Sequence, residues 1–376
     1  MILQTSIALL VPTICWSAEL RLLQAVWRHG DRAPGDLPYP NDRYDEKAWP
    51  RGWDQLTNKG IWQAAELGTW LYTNYGKSVL KVFNKDKIYI RASDSERAIE
   101  TAQGVAAGLF PPTGDRIWES SFLKYWQPTP IHTGGDALDP LLRPTKIDCP
   151  LLDRLVDESL ANLAPSYNQK YSVMFKYLQE KTGLENVSFP KVKSLYDIQR
   201  EIDHNMPQEK WLNQVFNGEM IMDHIREIKR VTRNEDFNSP AKAKLSGGFL
   251  LNRIIENMEN AVNNASTMEA FLYSAHDGTV SALMNALGVA DGQLVPYAAT
   301  LLLELYDDQS VKIIWRNNTE TTYTLHVPGC SENCSFAEFA TILEPMRVRS
   351  FEDLIEVLYM ISNFFFIYQF STAMQR

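Results

Sequence analysis

Five consecutive residues, Arg28-His29-Gly30-Asp31-Arg32, set one imidazole between two guanidinium groups. A third arginine, Arg97, follows the segment Ile88 to Ala92, and a second imidazole with a carboxyl group, His276-Asp277, follows Phe271 to Ala275. Guanidinium forks are always charged and match the oxygens of a phosphoryl group bidentately, so three of them in one pocket suit phosphate better than carboxylate. A phosphoryl group in transfer spreads charge over its equatorial oxygens, and fixed cationic donors stabilise that state by position and electrostatics. An imidazole among them can attack phosphorus in line, giving a phosphohistidine that divides one hard displacement into two easier ones. His29 is placed for the attack. Asp277, beside the second imidazole, is placed to protonate the leaving alkoxide and then to take a proton from the incoming water. No evident metal-ligand set accompanies these residues, so the arginines take the part of a metal clamp, and neither metal nor cofactor is expected.

The segments before these clusters explain how they can meet. Leu20 to Trp27 is an apolar run with little alternation, as in a strand covered on both faces. Thr57 opens a helical pattern whose apolar face is Ile61, Ala64, Ala65, Gly68 and Leu71, with Gly76 near its end. The strand Ile88 to Ala92 runs into SDSER, whose Ser and Asp suit a helix N-cap. Strand Phe271 to Ala275 precedes the helix VSALMNALG, and the runs ATLLLELY and VKIIWRN follow. This grammar predicts an α/β fold, a mostly parallel central sheet flanked by helices. In such sheets ligands bind at the carboxyl ends of strands, which is where all three clusters fall. Residues 115–244, with Pro-, Trp- and Leu-containing stretches and then polar helical patterns, read as a smaller, mainly helical inserted cap. The core is then 19–114 and 245–346, after a segment 1–18 and before a tail 347–376.

Composition narrows the function classes. Net charge is −9, with 37 Lys and Arg against 46 Asp and Glu, and no long basic tract offers a footprint for nucleic acid or an anionic membrane. Residues 1–18 resemble a signal peptide, apolar from Ile7 to Cys15 and ending in small residues. Asn186, Asn264 and Asn317 head Asn-x-Ser/Thr triplets, which agree with a secretory route and mark glycosylation candidates. Cys330 and Cys334, in PGCSENCSF, suit a small disulfide loop in an oxidising compartment; zinc is the rival reading, without a second ligand pair. The apolar tail segment Val357 to Phe370 has fourteen residues, too few for a comfortable membrane span.

RHGDRAP resembles the RHGxRxP motif of the histidine acid phosphatases, and YSAHDGTV resembles their second, His-Asp motif. The resemblance extends through LTNKG, IRASDSER, LFPP, WQPTPIHT, CPLLDRL, PYAATLLLELY and PGCSENC. It implies a phosphohistidine nucleophile at His29, phosphate binding by Arg28, Arg32, Arg97 and His276, and a proton donor at Asp277. It further implies a metal-independent enzyme with an acid optimum that acts on phosphomonoesters, is secreted or lysosomal, and is often a homodimer. The acidic chain favours a broad range of monoesters over phytate. Trp126 is a candidate for contact with substrate or a partner subunit, whereas His132 reads as a satisfied loop histidine, and His204, His224 and His326 carry no assigned function. Two departures stand out. Such relatives commonly link the regions near Asp197 and Thr300 by a cysteine pair that this chain lacks, and Cys149 has no partner beyond Cys334.

Overall fold

A computed structural model describes residues 18–118, 126–135, 139–317 and 321–350. The proposed signal segment up to residue 17 and the tail from residue 351 lie outside the described residues. The elements run β1 (Leu20–Arg28), α1 (Asn58–Tyr75), β2 (Ile88–Ala92), α2 (Glu96–Leu109), α3 (Pro150–Lys170), α4 (Ser172–Thr182), α5 (Ile198–Asp203), β3 (Val215–Phe216), β4 (Glu219–Met220), α6 (Ile221–Asn234), α7 (Pro240–Val262), β5 (Ala270–Ala275), α8 (Asp277–Ala286), β6 (Thr300–Tyr306), β7 (Val311–Arg316), β8 (Thr322–Leu325) and α9 (Phe336–Leu343).

The central sheet has the order β2-β5-β1-β6-β7-β8. Its β2, β5 and β1 are parallel neighbours, whereas β1–β6, β6–β7 and β7–β8 are antiparallel pairs. The α/β class holds, and the sheet is mixed: its parallel half carries the chemical clusters and its antiparallel half extends the core. The link from Asp307 to Ser310 explains the second half, since so short a connection makes a hairpin and cannot make a parallel crossover. Sequence did not lead to β8 and α9, nor to the two short strands β3 and β4 within the mainly helical segment 115–244.

Along β1 the side chains alternate between two apolar layers. Leu23, Ala25 and Trp27 pack with Ala64, Leu67, Leu71, Ala102 and Val105 of α1 and α2. Leu22 and Val26 pack on the other face with Leu251, Ile254 and Ile255 of α7 and Val280 and Leu283 of α8. Burial on both faces is why the strand reads as a continuous apolar run. A third cluster gathers Leu160, Phe175 and Leu178 of α3 and α4 with Ile198, Ile221, Ile225 and Ile228 of α5 and α6, and Tyr39 joins it from the loop after β1. Its helices contribute several of the charged side chains met below.

Candidate active site

Strand register brings the clusters together. Arg28 pairs with Ala275 across β1 and β5, and Ala92 pairs with Ser274 across β2 and β5, so His29, His276 and Ser93 leave the sheet at one level. The backbone continues the ladder past the strand ends, with His29 N–H donating to Ala275 O at 2.9 Å and Ser93 N–H to Ser274 O at 3.0 Å. Helices then begin at once. Arg97 stands in the first turn of α2, and His276 is the N-cap of α8 with Asp277 as its first residue. Two helix N-termini therefore face the same region, and their free N–H groups favour an anion there.

The loop after β1 is fixed from several directions. Gly30 N–H donates to Thr101 Oγ1 at 3.0 Å, and Asp31 N–H donates to Gln63 Oε1 at 2.8 Å. The Asp31 carboxylate is buried and accepts from Thr57 Oγ1 at 2.5 Å and from His204 Nε2 at 2.6 Å. Thr57 also caps α1 by accepting from Gly60 N–H at 3.1 Å. Burial pushes the Asp31 pKa up, but the hydrogen bonds from His204 and Thr57 hold it below the ordinary value. His204, to which sequence gave no role, thus ties the segment after α5 to the motif loop.

His29 is only 2% exposed. Its Nδ1 lies 2.8 Å from Gly30 O, and a carbonyl only accepts, so Nδ1 carries the proton and Nε2 keeps its lone pair. Burial lowers its pKa well below the usual histidine value, and Arg28, His276 and Arg97 lower it further. The His276 ring lies 5.5 Å from the His29 ring, and its Nε2 is hydrogen-bonded to Ser93 Oγ at 2.8 Å. Burial and then Arg97 bring its pKa down to about 3. Both imidazoles are accordingly neutral in mildly acidic solution.

Arg28 donates from Nη1 to Val295 O at 2.6 Å and covers the Tyr297 ring at 3.9 Å from its centroid. Arg32 and Arg97 share a carboxylate that sequence did not single out, Asp54, through contacts of 2.7 and 2.6 Å. Glu100, one turn beyond Arg97, meets Arg51 at 3.4 Å. The buried Nε atoms of Arg28, Arg32 and Arg97 have no partner among the described residues. Arg91, Arg233 and Arg316 share that trait, so it does not set the three apart; Arg28 and Arg97 are distinguished by acting on His29, and Arg32 by sharing Asp54 with Arg97.

Asp277 meets Arg233 of α6 at 3.1 Å and remains 30% exposed. Burial raises its pKa, but Arg233, Arg28 and Lys229 outweigh that effect and hold it well below the ordinary carboxyl value. Arg233 and Lys229 carried no sequence signal, because they come from a helix over forty residues away. Nearby, Arg200 donates from Nε to Tyr297 Oη at 2.9 Å and pairs with Asp197, a polar tie between the regions near Asp197 and Thr300 where a cysteine pair is lacking. Two cavities flank the motif loop, one of about 210 Å³ lined by Trp49, Thr57 and His204, the other of about 500 Å³ lined by Arg28, Tyr196 and Tyr297.

Other sequence candidates lie apart. Cys330 and Cys334 are placed as a disulfide, with Cα atoms 5.4 Å apart, and Cys149 is buried and free. Glu338 lies close to the two sulfurs but accepts from Ser331 N–H and Oγ, each at 2.8 Å. Asn186 and Asn264 are exposed, and Asn264 accepts from Arg21 at 2.5 Å; Asn317 is half-buried. The backbone of His132 lies along the outer edge of β2, its N–H donating to Ile90 O at 2.9 Å, and its ring stacks on Tyr89 at 4.9 Å. Trp126 is exposed. Among the described residues no helix is long and apolar enough to cross a membrane.

An α/β sheet that delivers two neutral imidazoles, three arginines and a carboxylate to adjoining strand ends defines a phosphate-handling protein with histidine at its centre. The chain belongs to branch 2 of the histidine phosphatase superfamily, whose family model matches residues 19–326. It is 35% identical to a prostatic acid phosphatase of Rattus norvegicus over 87% of each chain. It is 33% identical to a lysosomal acid phosphatase of Xenopus laevis over 90% of this chain and 79% of that one. Among solved structures, the apo phytase of Hafnia alvei shares the fold with a TM-score of 0.65 at 16% identity, covering 88% of this chain and 97% of that one.

Proposed function

We propose that the protein is a secreted or lysosomal acid phosphatase that hydrolyses phosphomonoesters through a covalent phosphohistidine at His29. The observation that carries this reading is the fixed tautomer of His29, whose lone pair on Nε2 stands among Arg28, Arg97 and His276. Arg28, Arg32 and Arg97, with His276, bind the phosphoryl oxygens. The His29 Nε2 pair forms the P–N bond as the P–O ester bond breaks, and the leaving alkoxide takes the Asp277 proton. Water then attacks phosphorus, gives a proton to Asp277, and the P–N bond breaks to release phosphate.

Acid conditions serve both partners. Burial, and then Arg28 and the other cations beside it, lower the His29 pKa well below the ordinary histidine value, which favours its unprotonated form in acid. Asp277 is ionised in the empty site, held so by Arg233 against the effect of burial. A bound phosphoryl anion opposes that cationic field, so Asp277 becomes protonatable when substrate arrives, and low pH supplies the proton. The acid phosphatase names of the relatives support the activity, and their prostatic and lysosomal labels support the compartment.

The test is hydrolysis of p-nitrophenyl phosphate at acid pH, with chelator present, by the parent, His29→Ala and Asp277→Asn. The expected result is parent activity that survives chelation and is abolished in His29→Ala. Asp277→Asn is expected to lose on the order of 10²–10⁴-fold, as for removal of a general acid. A folded parent that is inert, or a fully active His29→Ala, overturns the reading.

A further inference from the structure

Asp54 has a placement that the proposed chemistry does not require. One of its oxygens meets Arg32 Nη1 at 2.7 Å and the other meets Arg97 Nη1 at 2.6 Å. Both arginine side chains are 17% exposed, whereas Asp54 is 42% exposed. Its backbone is left-handed, at φ 64°, a conformation that costs Asp and Asn less than most residues. Asp54 N–H donates to Pro34 O at 2.7 Å, which fixes the loop against the motif segment. The carboxylate therefore bridges two of the three guanidinium groups assigned to phosphate. Asp54 meets each fork through Nη1 alone, so the other guanidinium nitrogens of Arg32 and Arg97 are not engaged by the bridge.

We propose that Asp54 is a resident counter-anion of the phosphate clamp, which keeps affinity for phosphate low enough for product to leave. This deepens the phosphatase reading and rests on it. A clamp of fixed cations stabilises product phosphate as well as the transition state, and uniform binding of that kind does not raise turnover. A carboxylate shared between two arginines removes part of their charge from every phosphate state. Product phosphate held less tightly leaves sooner, so the weakened clamp favours release.

The experiment compares the parent with Asp54→Asn and Asp54→Gly, both compatible with the left-handed backbone. It measures binding of inorganic phosphate by calorimetry, its inhibition constant, and kcat and KM for p-nitrophenyl phosphate. Two exposed-to-half-buried ion pairs correspond to roughly tenfold in an equilibrium constant. Both variants are expected to bind phosphate about that much more tightly, with a lower KM and a kcat equal to or below the parent's. If Asp54 only anchored the two arginines, the variants would bind phosphate equally or more weakly, and the proposal would be overturned. A parent that binds phosphate without turning over the ester would refute the phosphatase reading and leave the affinity prediction to be judged by calorimetry.

Discussion

Gly60 gives a direct test of how His29 is held. It lies in the first turn of α1, and a Cβ added there would stand 2.1 Å from Asp31 O and 2.7 Å from Asp31 N. Both contacts are with backbone, which cannot swing aside as a side chain does. Relief requires the Asp31 segment to retreat by roughly 1 Å, and a displacement of that size at reacting groups costs on the order of 10²-fold in rate. Stability responds differently. Overpacking costs about 1–3 kcal/mol, while alanine recovers up to ~1 kcal/mol of helix propensity over glycine. Gly60→Ala is therefore expected to fold with a small loss of thermal stability and to lose about a hundredfold in kcat for p-nitrophenyl phosphate. Calorimetric melting and steady-state kinetics on one preparation separate the two effects. A folded variant with kcat within a few-fold of the parent would refute the claim that this backbone contact sets the position of His29.

Arg233→Leu removes the cation nearest Asp277, so the carboxyl holds its proton to higher pH, and the alkaline limb of the kcat profile is expected to move upward; an unmoved limb would separate Arg233 from the proton donor. Asp31→Asn is expected to cost about 1.5–3 kcal/mol near pH 6, from the charge-assisted bond to His204. Because the Asp31 pKa is depressed in the folded state, its stabilisation is present above the ordinary carboxyl value and is lost as pH falls through the folded value, so denaturant titrations should find the two proteins converging in strong acid. Glu201 behaves in the opposite sense: burial and then Asp42 raise its pKa to about 8. The Glu201 contribution should be fully present below the ordinary glutamate value and lost as pH rises toward 8, so Glu201→Gln should lose less stability than the parent between those values in melting temperatures taken against pH.

The parts of the site that were legible in sequence are those made locally. A strand, the residues just past its end and the cap of the next helix are consecutive, so Arg28 to Arg32, Arg97 and His276-Asp277 carried their positions in their own neighbourhoods. The register of β1, β5 and β2 then completed what each segment began. His204, Asp54, Arg233 and Arg200 were illegible for a matching reason. His204 reaches Asp31 across 173 residues, and no pattern around either residue announces the pair. Strand direction was also hidden in the apolar runs themselves, since burial on both faces erases alternation in parallel and antiparallel strands alike. The short Asp307–Ser310 connection did hold that information, and connection length is the signal that sequence reading should have weighed.

The chain carries a net charge of −9, yet it sets Arg28 and Arg97 against His29, Arg233 and Lys229 against Asp277, and Arg32 beside Arg200. Left unopposed, such a field would hold phosphate as tightly in the product as in the transition state. Most of these cations instead have an acidic neighbour: Arg32 and Arg97 share Asp54, Arg200 has Asp197, and Arg233 has Asp236 and Asp277. Arg28 meets a carbonyl and the Tyr297 ring, and Lys229 feels Asp277 and Asp197 at longer range. The tempering is therefore uneven. It is fullest at Arg233, which meets two carboxylates, partial where two forks share Asp54, and weakest at Arg28, which acts on the His29 imidazole directly. That distribution suits an enzyme that must keep its imidazole neutral in acid while letting go of the phosphate it makes, and it locates the control of release in the loop that carries Asp54, apart from the strands that carry the chemistry.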